Sequence, residues 1–280
     1  MTAEASVPVP TDLLDLARSI AIRAAGSALD ARRAGVEVAA TKSTPTDIVT
    51  AADRDTEALI RDAILEARPD DGIVGEEDAA RVGASGVTWV VDPIDGTVNF
   101  LYGIPAWAVS IAVVSGPPTP DAWTALAGVV VNPVSGEVFE ASAAGGARVT
   151  STDGSVRELA VNAGVPLSHA LVGTGFGYSV ERRREQAAVV AALLPEVRDI
   201  RRIGSAALDL CALAAGRLDA HYEVGLNAWD HAAGALIARE AGAQVSGIDG
   251  GSEGSALLVA AGPDLHPDLC AALRAAGLRA

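Results

Sequence analysis

Apolar residues near the N-terminus recur at helical spacing: Leu13, Leu16, Ile20 and Ala24 share one face and predict a long first helix. A second helix is predicted over about 49–67, ending before Pro69, with Leu59, Ile60, Ile64 and Leu65 as its core face. From there the pattern changes to β-branched runs, which predict strands near 87–91, 106–114, 125–131, 136–141 and at Arg148. Pro117-Pro118-Thr119-Pro120 reads as an exposed turn between two of them. This is the pattern of a mostly antiparallel sheet under two helices. After a loop around Asp153-Gly154, strands near 170–173, 220–222, 244 and 256–260 are interspersed with helices near 181–194, 204–216 and 230–241 and a last helix from Asp264. The class is layered α/β or α+β, with residues 1–155 as an α+β half and 156–280 as an α/β half of one domain.

Composition narrows the function. A chain of 280 residues with 50 % hydrophobic content can bury a substantial core. Its first residues carry neither a basic segment nor an apolar one, so secretion is not expected. The longest apolar stretches, near 104–114 and 122–134, are broken and too short to span a bilayer, and no membrane helix is expected. Only Cys211 and Cys270 occur, which implies neither a disulfide framework nor a cysteine zinc site and makes the cytoplasm the expected compartment. A formal net charge of −15 argues against nucleic acid as a ligand, since such binding draws on Lys and Arg. Lys42 is the single lysine, either a compact ammonium kept for a purpose or an ordinary surface residue.

The richest chemistry lies in Trp89-Val90-Val91-Asp92-Pro93-Ile94-Asp95-Gly96-Thr97-Val98-Asn99-Phe100. A strand would deliver Asp92 to a sheet edge and stop at Pro93, which has no N–H. A turn permitted by Gly96 would let the Ile94 carbonyl face the same point as the Asp92 and Asp95 carboxylates, an oxygen set suited to a hard cation such as Mg²⁺. If Gly96 and Thr97 open a helix, their free N–H groups point at an anion. The plain alternative is a capped turn followed by an ordinary hairpin bend. Two further acidic elements, Gly75-Glu76-Glu77 and Trp229-Asp230-His231, could each be plain too: a solvated loop and a helix cap.

Taken together and in this order, these residues resemble the inositol monophosphatase family of magnesium-dependent, lithium-sensitive phosphatases. Its first signature is similar to 89–100 and its second to 229–242. The resemblance runs from about Lys42 to the segment around Val245. It is carried also by Phe100-Leu101-Tyr102-Gly103-Ile104-Pro105 with Ala108-Val109-Ser110-Ile111, and by Arg202-Ile203-Gly204-Ser205-Ala206-Ala207-Leu208-Asp209-Leu210-Cys211 followed by Gly216-Arg217-Leu218-Asp219-Ala220-His221-Tyr222-Glu223, where members of the family read the substrate's hydroxyls.

The resemblance implies a five-layered α-β-α-β-α sandwich of the inositol monophosphatase and fructose-1,6-bisphosphatase type, and a metal site where its halves meet. It implies two or three Mg²⁺ ions. Glu76, Asp92 and the Ile94 carbonyl would bind the first, whose water is the nucleophile; Asp92, Asp95 and Asp230 would bind a second that holds the ester oxygen; a third, weaker ion would hang from Glu76. Thr97, polarised by Asp53, would orient and help deprotonate the water, with Gly96 and Thr97 on the phosphate. Gly204, Ser205, Ala206 and Glu223, with Asp95 and Asp230, would read the substrate's hydroxyls, and Lys42 is a possible further site residue.

The expected reaction is hydrolysis of myo-inositol 1-phosphate; histidinol phosphate or a sugar phosphate is the alternative among phosphate monoesters. A protein-binding, regulatory family member is the alternative outside catalysis, and a homodimer is expected. Asn227 departs from the histidine many relatives carry before the Trp-Asp pair. Two apparent motifs fall away: Gly173-Thr174-Gly175-Phe176-Gly177 has the wrong spacing for a dinucleotide fingerprint, and the four histidines have no metal-binding spacing.

Overall fold

In the computed structural model the described residues are 10–35, 38–41, 48–116, 119, 122–254 and 256–279; Lys42 and most of the Pro117-Pro118-Thr119-Pro120 turn lie outside them. The first helix, α1 (Pro10–Ala34), buries Leu13, Ala17, Ile20, Ala21, Ala24 and Ala28 along one stripe. Next come β1 (Val38–Thr41) and β2 (Ile48–Thr50), an antiparallel pair. That pairing extends residues 48–50, so the second helix, α2 (Ala51–Ala67), starts two residues later than the periodicity predicts. Leu59 and Leu65 pack at the margin of its core face, while Ile60 and Ile64 are fully buried.

The chain then builds β3 (Gly72–Gly75), β4 (Val87–Asp95), α3 (Thr97–Tyr102), β5 (Ala108–Ser115), β6 (Thr124–Asn132), β7 (Glu137–Ser142), β8 (Ala147–Thr150) and β9 (Val156–Glu158). These seven strands form one sheet in chain order, antiparallel except for the parallel pair β3/β4. Because β9 is the edge of this sheet, the first half runs to Glu158, beyond the expected boundary at 155.

The second half contributes β10 (Leu171–Thr174), α4 (Val180–Leu193), β11 (Asp199–Arg201), α5 (Ala206–Ala214), β12 (Ala220–Glu223), α6 (Ala228–Glu240), β13 (Gln244–Ser246), β14 (Leu258–Ala261) and α7 (His266–Ala275). Its five-stranded sheet has the order β11-β10-β12-β14-β13, parallel at β10 and antiparallel on either side of β14.

Four apolar clusters stack these elements into five layers. One joins α1 and α2 to the seven-stranded sheet, and a second joins the opposite face of that sheet to α5 and α6. A third runs from α5 and α6 to the five-stranded sheet, and a fourth covers that sheet's far side with α4 and α7. The order is therefore α-β-α-β-α, as expected. It explains why β5 reads as an unbroken apolar run: Val109, Ile111 and Val113 face α1 and α2, whereas Ala108, Ala112 and Val114 face α5 and α6. Among the described residues, no helix is long and apolar enough to cross a membrane.

Candidate active site

Strand β4 passes through Pro93 rather than stopping there. Asp92 pairs with Ser110 and Asp95 with Ala108, so three steps along β4 oppose two along β5, and the extra residue forms a bulge. The bulge absorbs a proline that cannot donate to the ladder. It also leaves Asp92 and Asp95 both buried, with the Ile94 N–H donating to Asp92 Oδ1 at 3.0 Å. Gly96 then turns the chain at φ +96°, where a Cβ would meet the Ala106 and Gly204 carbonyl oxygens at 3.0 and 3.1 Å. Only glycine fits both the backbone angle and the space.

Two acids reach this point from helix starts. Asp53 and Asp230 each stand three residues after the cap, Thr50 in α2 and Asn227 in α6, in capping boxes. Asp53 is fully buried; its Oδ2 accepts from Thr50 N at 2.8 Å, which leaves Oδ1 to accept from Thr97 Oγ1 at 3.2 Å. Asp230 Oδ2 accepts from Asn227 N at 2.6 Å. The Asn227 departure is thus a good helix cap. Glu76 follows β3 on a loop fixed from beneath: Glu57 accepts from Glu77 N at 2.8 Å, Asp78 N at 3.1 Å and Arg61 Nε at 2.7 Å. Gly75 makes this possible, because a Cβ there would lie 2.4 Å from Glu57 Oε1.

These residues open onto a cavity of about 1200 Å³ between the halves. Glu76, Asp92, Asp95 and Thr97 line it from the first half, and Glu223 and Asp230 from the second. Burial raises Asp92 well above the usual carboxylate range, and the negative charges of Glu76, Asp95, Asp230 and Asp53 add to it. Asp230 is raised for the same reasons, burial first and then Asp95 and Glu76. Asp95 is pushed up to about 6 by burial, partly opposed by hydrogen bonds from Ser205 and Ala207. Buried like charges of this kind are costly unless a cation joins them.

The donors are oxygen only, the chemistry of a hard divalent ion. Among the described residues no three of these side chains surround one point at ligand distance, so the fit rests on donor chemistry and electrostatics.

The chain matches the inositol monophosphatase family over residues 10–278. It is 51 % identical over 253 residues to the Inositol-1-monophosphatase of Mycobacterium leprae, covering 88 % of this chain and 84 % of that one. The chain belongs to the inositol monophosphatase family. It is a phosphatase of that metal-dependent family. Mycobacterium tuberculosis SuhB superposes with a TM-score of 0.82 at 45 % identity, covering 97 % of this chain and 99 % of that one. The Nus factor SuhB of Pasteurella multocida is 40 % identical over 260 residues, 90 % of this chain and 93 % of its own.

In this inositol monophosphatase family member, the cavity wall also includes Ile94, Gly96, Gly204, Ser205 and Ala206. Asp53 sits behind Thr97. Ser205 is committed to Asp95: its Oγ donates to Asp95 Oδ2 at 2.6 Å, and Ala207 N donates to the same oxygen at 2.7 Å. Its hydroxyl thus orients Asp95 from the cavity wall.

Three neighbours of Glu223 lie in the sequence blocks that carry the resemblance, with no individual role assigned to them there. Asp209 and Arg202 line the cavity, and the Arg202 charge lowers the carboxyls of Asp95, Asp209 and Glu223 against the effect of burial. His221 is fully buried, its Nε2 3.6 Å from Glu223 Oε2.

Proposed function

We propose that this phosphatase hydrolyses myo-inositol 1-phosphate to myo-inositol and phosphate, with Mg²⁺ as cofactor and water as nucleophile. The observation that carries the reading is that one cavity holds the acidic cluster of Glu76, Asp92, Asp95 and Asp230 together with Glu223. The name Inositol-1-monophosphatase carried by the Mycobacterium leprae relative agrees with it.

We assign Glu76, Asp92 and the Ile94 carbonyl to one ion, and Asp92, Asp95 and Asp230 to a second. Bound there, such ions supply Lewis-acid chemistry, acidifying water and offsetting the charge of the phosphoryl oxygens and the leaving alkoxide.

The chain's own groups handle the proton. Thr97 Oγ1 lies 3.2 Å from Asp53 Oδ1 and 3.1 Å from the Ile94 carbonyl oxygen. Donating to Asp53 leaves the Thr97 oxygen's lone pairs to accept from a water in the cavity. As that water attacks phosphorus and the P–O bond to the inositol oxygen breaks, the water's proton passes to Thr97 Oγ1 and the Thr97 proton to Asp53 Oδ1, while the leaving oxygen takes a proton from solvent water in the cavity. Thr50 fixes the carboxylate plane from the other side. We assign the backbone N–H groups of Gly96 and Thr97 to the phosphoryl oxygens. Glu223 accepts hydrogen bonds from ring hydroxyls of the leaving group, the feature that favours a polyol phosphate over a plain ester.

Phosphate release in Mg²⁺ from inositol 1-phosphate, histidinol phosphate, fructose 1,6-bisphosphate and adenosine 3′,5′-bisphosphate tests this. The highest kcat/KM is expected on inositol 1-phosphate. Preference for another ester overturns the substrate, and no turnover on any of them overturns the reading in favour of a protein-binding role.

A further inference from the structure

Behind Glu223 lies a row of buried polar groups that the proposed chemistry does not use. Strands β10 and β12 run parallel, with Gly173 opposite His221 and Thr174 opposite Tyr222. Side chains alternate along a strand, so His221 and Glu223 project to one face of β12. On the neighbouring strand that face carries glycine. A Cβ on Gly173 would lie 3.0 Å from His221 Nδ1 and 3.3 Å from Asp209 Oδ1, and a Cβ on Gly175 would fall within 1.9 Å of Glu223 Oε1. The two glycines thus leave the room that Asp209, His221 and Glu223 occupy. Asp209 reaches it from α5.

Stability alone does not account for these residues. His221 has no exposed surface and Asp209 has 1 %. Neither ring nitrogen of His221, nor Asp209 Oδ1, has a hydrogen-bond partner among the described residues. Burying such groups without partners is costly, and apolar side chains of similar volume would be cheaper here. The polar atoms have company in one another. His221 Nδ1 shares the Gly173 face with Asp209 Oδ1, and Nε2 stands 3.6 Å from Glu223 Oε2. Asp209 and Glu223 both reach the cavity wall.

We propose that His221 and Asp209 are a buried positioning pair that holds the Glu223 carboxyl group towards the cavity and thereby sets discrimination for polyhydroxylated leaving groups. This rests on the reading of Glu223 as the acceptor of substrate hydroxyls. The imidazole is rigid, with Nε2 on the Glu223 side and Nδ1 beside Gly173 where Asp209 also packs, so it limits the rotation of a carboxyl group that has only glycine beside it at position 175. Asp209 in turn fixes the ring. Glu223 touches the leaving group, and the other two act through it.

The test compares kcat and KM on inositol 1-phosphate and on p-nitrophenyl phosphate, which has no ring hydroxyls, for wild type, His221→Phe, His221→Gln, Asp209→Asn, Glu223→Ala and the double variant His221→Phe/Glu223→Ala. His221→Phe is expected to lower the ratio of kcat/KM between the two esters about tenfold, within the usual range of coupling between side chains in contact, mainly through KM. His221→Gln, which keeps a polar atom near the Nε2 position, should recover much of that ratio. The double variant should discriminate no worse than Glu223→Ala alone. Equal losses on both esters, additive losses in the double variant, or an unchanged ratio in both His221→Phe and Asp209→Asn overturns the proposal. If Glu223→Ala itself leaves the ratio unchanged, the reading of Glu223 fails and the proposal falls with it. That result is distinct from one in which Glu223→Ala discriminates and His221→Phe does not.

Discussion

Thr97 Oγ1 and Asp53 Oδ1 lie 3.2 Å apart although 44 positions separate them in the chain. The first stands at the start of α3 and the second in the first turn of α2. Asp53 has no exposed surface, so it is not the ordinary solvated helix acid its sequence surroundings would allow. In the proposed mechanism this pair carries the proton that leaves the attacking water.

Asp53→Asn should therefore lower kcat by about 10²–10⁴, the usual worth of positioned acid–base catalysis. Thr97→Val should cost a similar factor, and the double variant little more than either alone, because the two act as a unit. Rates of phosphate release from folded protein check this. Independent, multiplying losses would show that the two groups do not share one proton path.

Glu223→Ala should reduce kcat/KM on inositol 1-phosphate by about 10- to 100-fold, as expected when one or two buried hydrogen bonds to the leaving group are lost and their partners are left unpaired. The loss on p-nitrophenyl phosphate should be much smaller. Parallel assays decide it; equal losses would place Glu223 in support of the acidic cluster or of the fold.

Stability should depend on pH through the same residue. Burial, with the charges of Asp209 and Asp95, pushes the Glu223 carboxyl up to about 8. Burial pulls the His221 imidazole down to about 4. The folded state binds the Glu223 proton more tightly than the unfolded state does. That stabilisation is complete below pH 4.5 and is lost as pH rises towards 8. His221 has the opposite sign: its contribution is present above pH 6.5 and is lost as pH falls through 4. The two slopes offset between pH 4.5 and 6.5, and above 6.5 that of Glu223 stands without an opposing His221 slope. Between pH 6.5 and 8, wild type should lose about 2 kcal/mol more than Glu223→Gln, at about 1.36 kcal/mol per unit. Urea unfolding of both proteins in EDTA at the two pH values measures the difference. Equal slopes would contradict it.

Gly75→Ala should disturb the loop that carries Glu76, because the new methyl group would lie 2.4 Å from Glu57 Oε1. Displacing Glu57 releases the Glu77 and Asp78 N–H groups it holds. The expected result is folded protein with lower Mg²⁺ affinity and lower kcat. Titration calorimetry together with circular dichroism checks it, and unchanged Mg²⁺ affinity would mean that Glu76 keeps its place without this support.

Much of this was legible because the chemistry clusters along the chain. Asp92, Ile94, Asp95, Gly96 and Thr97 are nearly consecutive, and apolar periodicity located the long helices and the central strands. Short elements escaped it: β9 and β11 have three residues each, too few to show a period. Pro93 misled for a physical reason, since the bulge in β4 tolerates a proline that a regular ladder excludes. Asp209 and His221 stand in blocks that carry the resemblance, but no individual role for them was legible, because one lies on α5 and the other on β12 and they meet only in the fold. The glycines of Gly173-Thr174-Gly175 make room for His221 and Glu223 on the neighbouring strand, and no pattern along one strand records that. Lys42 lies outside the described residues.

The central claim is that the buried acids hold divalent cations on which ester hydrolysis depends. The most direct measurement is phosphate release from inositol 1-phosphate by EDTA-stripped protein as Mg²⁺ is added back, with Asp95→Asn in parallel. Stripped wild-type protein should be inactive and recover fully with Mg²⁺, while folded Asp95→Asn should stay at least about 10²-fold lower in kcat at saturating Mg²⁺. Turnover that survives EDTA, or an Asp95→Asn variant that matches wild type in Mg²⁺, would contradict the account.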